Sequence, residues 1–121
     1  YPRGENIKDP HDPEVVAHAA RIGAECGADI VKTVYTGDVD SFAKVVSSIP
    51  VPVVIAGGPK ANTDMDILQM TEDAMTAGAK GVTFGRNIFA HKTPHKMVEA
   101  LAGVIFKKQT AKEAAEKIGQ E

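Results

Sequence analysis

Apolar positions in this chain follow two alternating rhythms. Val15, Val16, Ala19, Ala20, Ile22 and Cys26 recur at helical spacing, and the short run Ile30-Val31 then reads as a strand. Val39, Phe42, Val45, Val46 and Ile49 return to helical spacing, and the near-continuous run from Val51 to Ala56 reads as a second strand, buried on both faces. A third helical pattern through Ile67, Leu68, Met70, Ala74 and Met75 precedes a third strand in "GVTFGR". A further helix is predicted over about 94–108, with Met97, Val98, Leu101, Val104 and Ile105 inward, and "TAKEAAEKIG" reads as a short charged helix.

The punctuation agrees with the rhythm. Asp12 is a good N-cap, Pro13 fits a first helical turn, and Glu14 suits the positive end of the helix dipole. Gly27 and Gly78 are placed to end their helices, and Asn62, Thr63 or Asp64 can cap the third. Strands separated by single helices pair in parallel through right-handed crossovers. Two α/β architectures fit, a doubly wound open sheet and a (βα)8 barrel. Both put ligands at the carboxyl ends of the strands.

No linker or low-complexity segment divides residues 1–121, so one domain is expected. The opening "YPRGENIKDPHDP" is turn-rich and resembles a loop that follows a strand, so the chain is expected to be a fragment of something longer. A formal charge of -2, with no basic run longer than Lys107-Lys108, speaks against nucleic acid as a partner. No apolar stretch approaches the roughly 18 residues of a membrane span, and no signal peptide is visible, so a cytoplasmic protein is expected. The single cysteine, Cys26, can form no internal disulfide and is expected as a small buried hydrophobe.

At the three strand ends stand Lys32-Thr33, Gly57-Gly58 and Gly85-Arg86. Each glycine pair alone reads as a turn. Together, Gly57, Gly58 and Gly85 let a backbone approach a ligand closely and aim amides at it, while Arg86 adds a positive fork, which predicts a phosphate site. Lys32 leaves a buried strand beside that cation. Partial desolvation and a like charge both favour the neutral amine, the form that attacks a carbonyl to give a Schiff base. The competing reading of Lys32 is a surface lysine at a loop entrance. Lys60, past Pro59, reads as a solvated or phosphate-contacting residue. His11, His18, His91 and His95 have no carboxylate at metal-ligand spacing and read as structural or exposed, so no metal is expected. Dinucleotide, Walker-type and Ser-His-Asp signals are absent from the sequence.

Four segments in order, "YPRG" (1–4), "GADIVKTVYTGD" (27–38), "PVVIAGGPK" (52–60) and "GVTFGRNIF" (81–89), resemble the archaeal class I aldolase family over essentially the whole chain. That family contains fructose-bisphosphate aldolases and 2-amino-3,7-dideoxy-D-threo-hept-6-ulosonate synthases. "HAARIGAECGADIVKT" and "IAGGPKANTD" look more like the synthase branch, which performs a transaldol reaction on an alternative route to aromatic amino acids. The resemblance implies the C-terminal portion of a TIM barrel, about strands 6 to 8 with their helices. It implies Lys32 as the Schiff-base lysine and Tyr1 as the general acid/base, with Gly57, Gly58, Gly85 and Arg86 binding substrate phosphate. A phosphorylated ketose and an aldehyde are the implied substrates, with no cofactor, no membrane and a homo-oligomeric assembly.

Two departures accompany it. Ala56 stands where aldolases of the family often carry a serine, which favours the synthase branch. The family's catalytic aspartate ends the first barrel strand and this chain begins at the fifth, so the chain alone is expected to be inactive. A non-catalytic phosphate-binding fragment is therefore the alternative to an aldolase or transaldolase.

Overall fold

The computed structural model describes residues 1–119. Helix α1 (Pro13–Glu25) starts as its sequence requires, with the Asp12 carboxylate accepting from the amides of Glu14 and Val15, and it ends before Gly27 at a φ of 102°. Strand β1 (Val31–Val34), helix α2 (Val39–Ser47) and strand β2 (Val53–Ala56) follow. Helix α3 (Asp64–Thr76) opens on a reciprocal capping box between Thr63 and Asp66, which selects Thr63 from the three candidate caps. Strand β3 (Gly81–Thr83), a single turn α4 (Arg86–Phe89) and helices α5 (Pro94–Lys107) and α6 (Ala111–Ile118) complete the chain.

The three strands are parallel in the order β1-β2-β3. Val31 pairs with Val53 and Val34 with Ala56; Val54 pairs with Gly81 and Ala56 with Thr83. Val16 and Ala20 of α1, Phe42 and Val45 of α2, and Ala74 of α3 form one core with Val31, Val53 and Ile55. Helix α1 and the two crossover helices α2 and α3 therefore cover one face of the sheet. A doubly wound sheet sends helices to both faces, so this one-sided winding is that of a barrel segment, with the opposite face turned to the barrel axis. A second core joins Ile67 and Leu68 of α3 to Met97, Leu101 and Val104 of α5 and to Ala111 and Ala114 of α6.

Several expectations are corrected. β2 is not buried on both faces: Val53 and Ile55 are buried against helices, whereas Val54 and Ala56 are half-buried because no layer of the described residues covers that side. β1 begins one residue after the exposed Ile30 and runs two residues past Lys32, so the lysine lies within the strand. Cys26 is exposed, because it caps α1 beyond the last turn that packs on the sheet. Val98 is 48% exposed on α5, whose buried face runs through Met97, Ala100, Leu101 and Val104. Among the described residues no helix is long and apolar enough to cross a membrane.

Two side chains in the first core carry testable consequences. Phe42 is fully buried and meets the Tyr35 ring edge-on, with centroids 5.2 Å apart at 61°. Phe42→Ala should lower unfolding free energy in the complete protein by about 3–5 kcal/mol, measured by denaturant titration. The Tyr35 hydroxyl is buried without a partner, and its pKa is pushed from 10.0 to about 12, first by burial and then by Asp73 and Asp38. A raised folded-state value means that the neutral phenol supports the fold below pH 10.0 and that this support is lost as pH climbs through about 12. Tyr35→Phe should be neutral or stabilising by up to about 1 kcal/mol at pH 7 and should hold its stability better than the parent between pH 10 and 12. A loss at pH 7 would mean that the hydroxyl has a partner in solution.

Candidate active site

On the sheet face away from the helices, the register sets Lys32 beside Val54, and Val34 beside Ala56, which in turn pairs with Thr83. Strand alternation fixes this: with Val31 and Thr33 buried against helices, Lys32 and Val34 must point the other way. The Thr83 hydroxyl donates to the Ile55 carbonyl across the strands at 3.1 Å. Over this face the opening segment, the Pro10-His11 turn, the loop after β2 and the start of α4 enclose a cleft of about 570 Å³.

All six residues singled out in the sequence, Tyr1, Lys32, Gly57, Gly58, Gly85 and Arg86, line this cleft. The Lys32 Nζ lies 5.9 Å from the centroid of the Tyr1 ring, and the Arg3 guanidinium lies 5.6 Å from the same centroid. The phenol ring is thus flanked by two cations, and it remains 50% exposed. Lys32 is itself exposed, so the desolvation expected of it is not present among the described residues.

The two glycines after β2 answer different demands. A Cβ on Gly57 would lie 2.8 Å from the Phe84 ring and 2.9 Å from the Asn87 amide nitrogen, so only glycine lets the loop rest there. Gly58 has a φ of 66°, which turns the chain sharply towards Pro59. Gly85 caps the single turn α4, and Arg86, its first residue, is exposed at the cleft.

Among the described residues, Arg3, Lys32 and Arg86 line the cleft and no carboxylate does. In a chain of net charge -2, that local excess of cations suits an anionic ligand. Among the described residues no three His, Cys, Asp or Glu side chains come together as a metal-ligating group.

Lys60 lies outside the cleft and donates to the Ala90 carbonyl at 3.0 Å. His91, on the turn after α4, bonds the Asp64 carboxylate through Nε2 at 2.8 Å and accepts from the Thr93 amide at Nδ1, a structural role. His18 and His95 are exposed. His11 is exposed as expected and also reaches the cleft wall, with its Nδ1 3.3 Å from the Tyr35 carbonyl. That contact joins residues 24 positions apart, across α1 and β1, and has no periodic signal in the sequence. Arg3, Thr83 and Phe89 also line the cleft without having been singled out, although Arg3 lies within the "YPRG" segment and Thr83 and Phe89 within "GVTFGRNIF".

Comparison with known proteins agrees with this architecture. The chain is 44% identical over 110 residues to the 2-amino-4,5-dihydroxy-6-oxo-7-(phosphonooxy)heptanoate synthase of Streptomyces griseus, covering 91% of this chain and 40% of that protein. It is 46% identical over 105 residues to the 2-amino-3,7-dideoxy-D-threo-hept-6-ulosonate synthase of Halobacterium salinarum, covering 87% and 39% respectively. A solved archaeal fructose-1,6-bisphosphate aldolase, whose catalytic lysine is covalently bound to the carbinolamine intermediate of its substrate, superposes with a TM-score of 0.83 at 40% identity over 87% of this chain and 42% of its own. The chain therefore spans about 40% of the length of the curated relatives it matches. Residues 1–91 match the DeoC/LacD family of aldolases, and the chain belongs to that family.

Proposed function

We propose that this chain supplies the Schiff-base and phosphate-binding part of a class I aldolase or transaldolase acting on a phosphorylated ketose. The observation that carries the reading is one cleft holding an exposed amine, a phenol at its side and two glycine-lined strand ends, with cations and no carboxylate on its walls.

In this reading Gly57, Gly58 and Gly85 offer backbone amides to the phosphate, and Arg86 offers a charge-assisted fork. The ketose carbonyl then lies over the strand face within reach of Lys32. The Nζ adds to the carbonyl carbon to give a carbinolamine, and loss of water leaves an iminium. The electron pair of the bond between the α and β carbons moves into the iminium as that bond breaks, giving an enamine, while the hydroxyl on the departing β carbon gives up its proton as an aldehyde forms. Tyr1, whose ring centroid lies 5.9 Å from the Lys32 Nζ, is the group assigned to move that proton. The enamine can add to a second aldehyde, which makes the overall reaction a transaldol transfer. The iminium is the electron sink throughout, so the scheme calls for neither cofactor nor metal.

Within the family we favour the synthase reaction, a transaldol step towards aromatic amino acids, over fructose-1,6-bisphosphate cleavage. Ala56 beside the glycine pair offers no hydroxyl, and the two synthases share nearly half their matched residues with this chain. The absence of a carboxylate from the cleft walls supports a second reading, a phosphate-binding unit that performs no chemistry by itself.

Borohydride separates the two. Added to the complete enzyme with a phosphorylated ketose, it should fix substrate mass on Lys32. Lys32→Met should abolish the label and the activity, and a chelator should leave activity intact. Label on Lys60, or none at all, would refute the scheme. For the anion end, Arg86→Ala should weaken binding of the phosphorylated ketose by about 1.5–3 kcal/mol in calorimetry. Unchanged affinity would make Arg86 structural.

A further inference from the structure

Asn87 is a buried polar side chain that ties the two glycine-lined loops together from behind. It stands on α4, next to Arg86, and is only 3% exposed, yet it belongs to neither hydrophobic core. Its Oδ1 accepts from the Ala61 amide at 2.7 Å, and its Nδ2 donates to the Pro59 carbonyl at 3.4 Å. Those two groups have no backbone partner among the described residues. One amide side chain therefore satisfies both ends of the Pro59–Ala61 segment.

The contact is close on the cleft side as well, because the Asn87 Nδ2 is one of the two atoms that leave no room for a Cβ on Gly57. The Gly57-Gly58 backbone rests on this amide, while the neighbouring Arg86 faces the cleft. Lys60 to the Ala90 carbonyl and His91 to Asp64 continue the same seam further out, at 3.0 and 2.8 Å.

We propose that Asn87 is a positioning residue that holds the Gly57-Gly58 amides and the Gly85-Arg86 turn at the separation one phosphate group requires. This rests on the phosphate reading given above. An apolar side chain of similar size would fill the same space but would strand a buried N–H and a carbonyl, so the loop would shift to find partners and the two halves of the seat would part. Lys32 sits two strands away on β1 and makes no bond to Asn87. The effect should therefore fall on phosphate recognition and not on the reacting amine.

The test uses the complete enzyme with Asn87→Ala and with Asn87→Asp, which keeps an acceptor for the Ala61 amide but loses the donor to Pro59. Calorimetry measures binding of a phosphorylated ketose, and borohydride trapping at Lys32 is followed with the same ketose lacking its phosphate. Each variant should weaken the phosphorylated ligand about tenfold, the scale of one buried hydrogen bond, and leave trapping of the unphosphorylated ketose within about twofold. Raised KM with nearly unchanged kcat should accompany this. Equal losses for both ketoses, unchanged phosphate affinity, or failure of both variants to fold would overturn the proposal. Should the unsubstituted enzyme trap neither ketose, the Schiff-base reading fails, and calorimetry alone still decides the role of Asn87.

Discussion

The two-residue period of a β-strand governs the rest of this structure. Once Val31 and Thr33 of β1 turn to the helices, Lys32 has only the other face available, and the parallel register sets Ala56 and Thr83 on that same face. A one-residue slip would send the ammonium into a core that contains Phe42 and Val45 and would put valine in the cleft. The apolar packing of α1 and α2 is thus also what aims the amine.

Charge is arranged with similar economy. The protein is slightly acidic as a whole, but Arg3, Lys32 and Arg86 meet over one strand face with no carboxylate among them. All three are exposed to water, and cations gathered on one wall favour an anion between them. Tyr1 between two of these cations occupies a place where its ring contacts positive charge from either side.

Much of this was legible in the sequence because helix ends and helical faces are local. Asp12, Thr63 and Gly27 act through neighbours within a few residues, and the structure finds each in its expected role. Lys32, Gly57, Gly58, Gly85 and Arg86 were singled out because strand ends in parallel α/β folds collect ligand-binding groups, Tyr1 entered only through the family resemblance, and all six line one cleft. Exact strand limits and face coverage were less legible, since whether Val54 is covered depends on which layers surround the strand. His11 and Asn87 escaped because their partners, the Tyr35 carbonyl and the Pro59–Ala61 segment, lie 24 to 28 residues away and carry no pattern that the sequence displays.

Phe84 joins parts of the molecule that otherwise look separate. It packs against both hydrophobic cores, and its ring bounds the space behind Gly57. The α5–α6 cluster and the floor of the cleft therefore belong to one cooperative unit. Loosening of α5 and α6 would reach the loop after β2 through this ring, and amide exchange in that loop would quicken with exchange in the two helices. Residues far from the cleft, such as Ala111 and Ala114, thereby bear on how rigidly its floor is held.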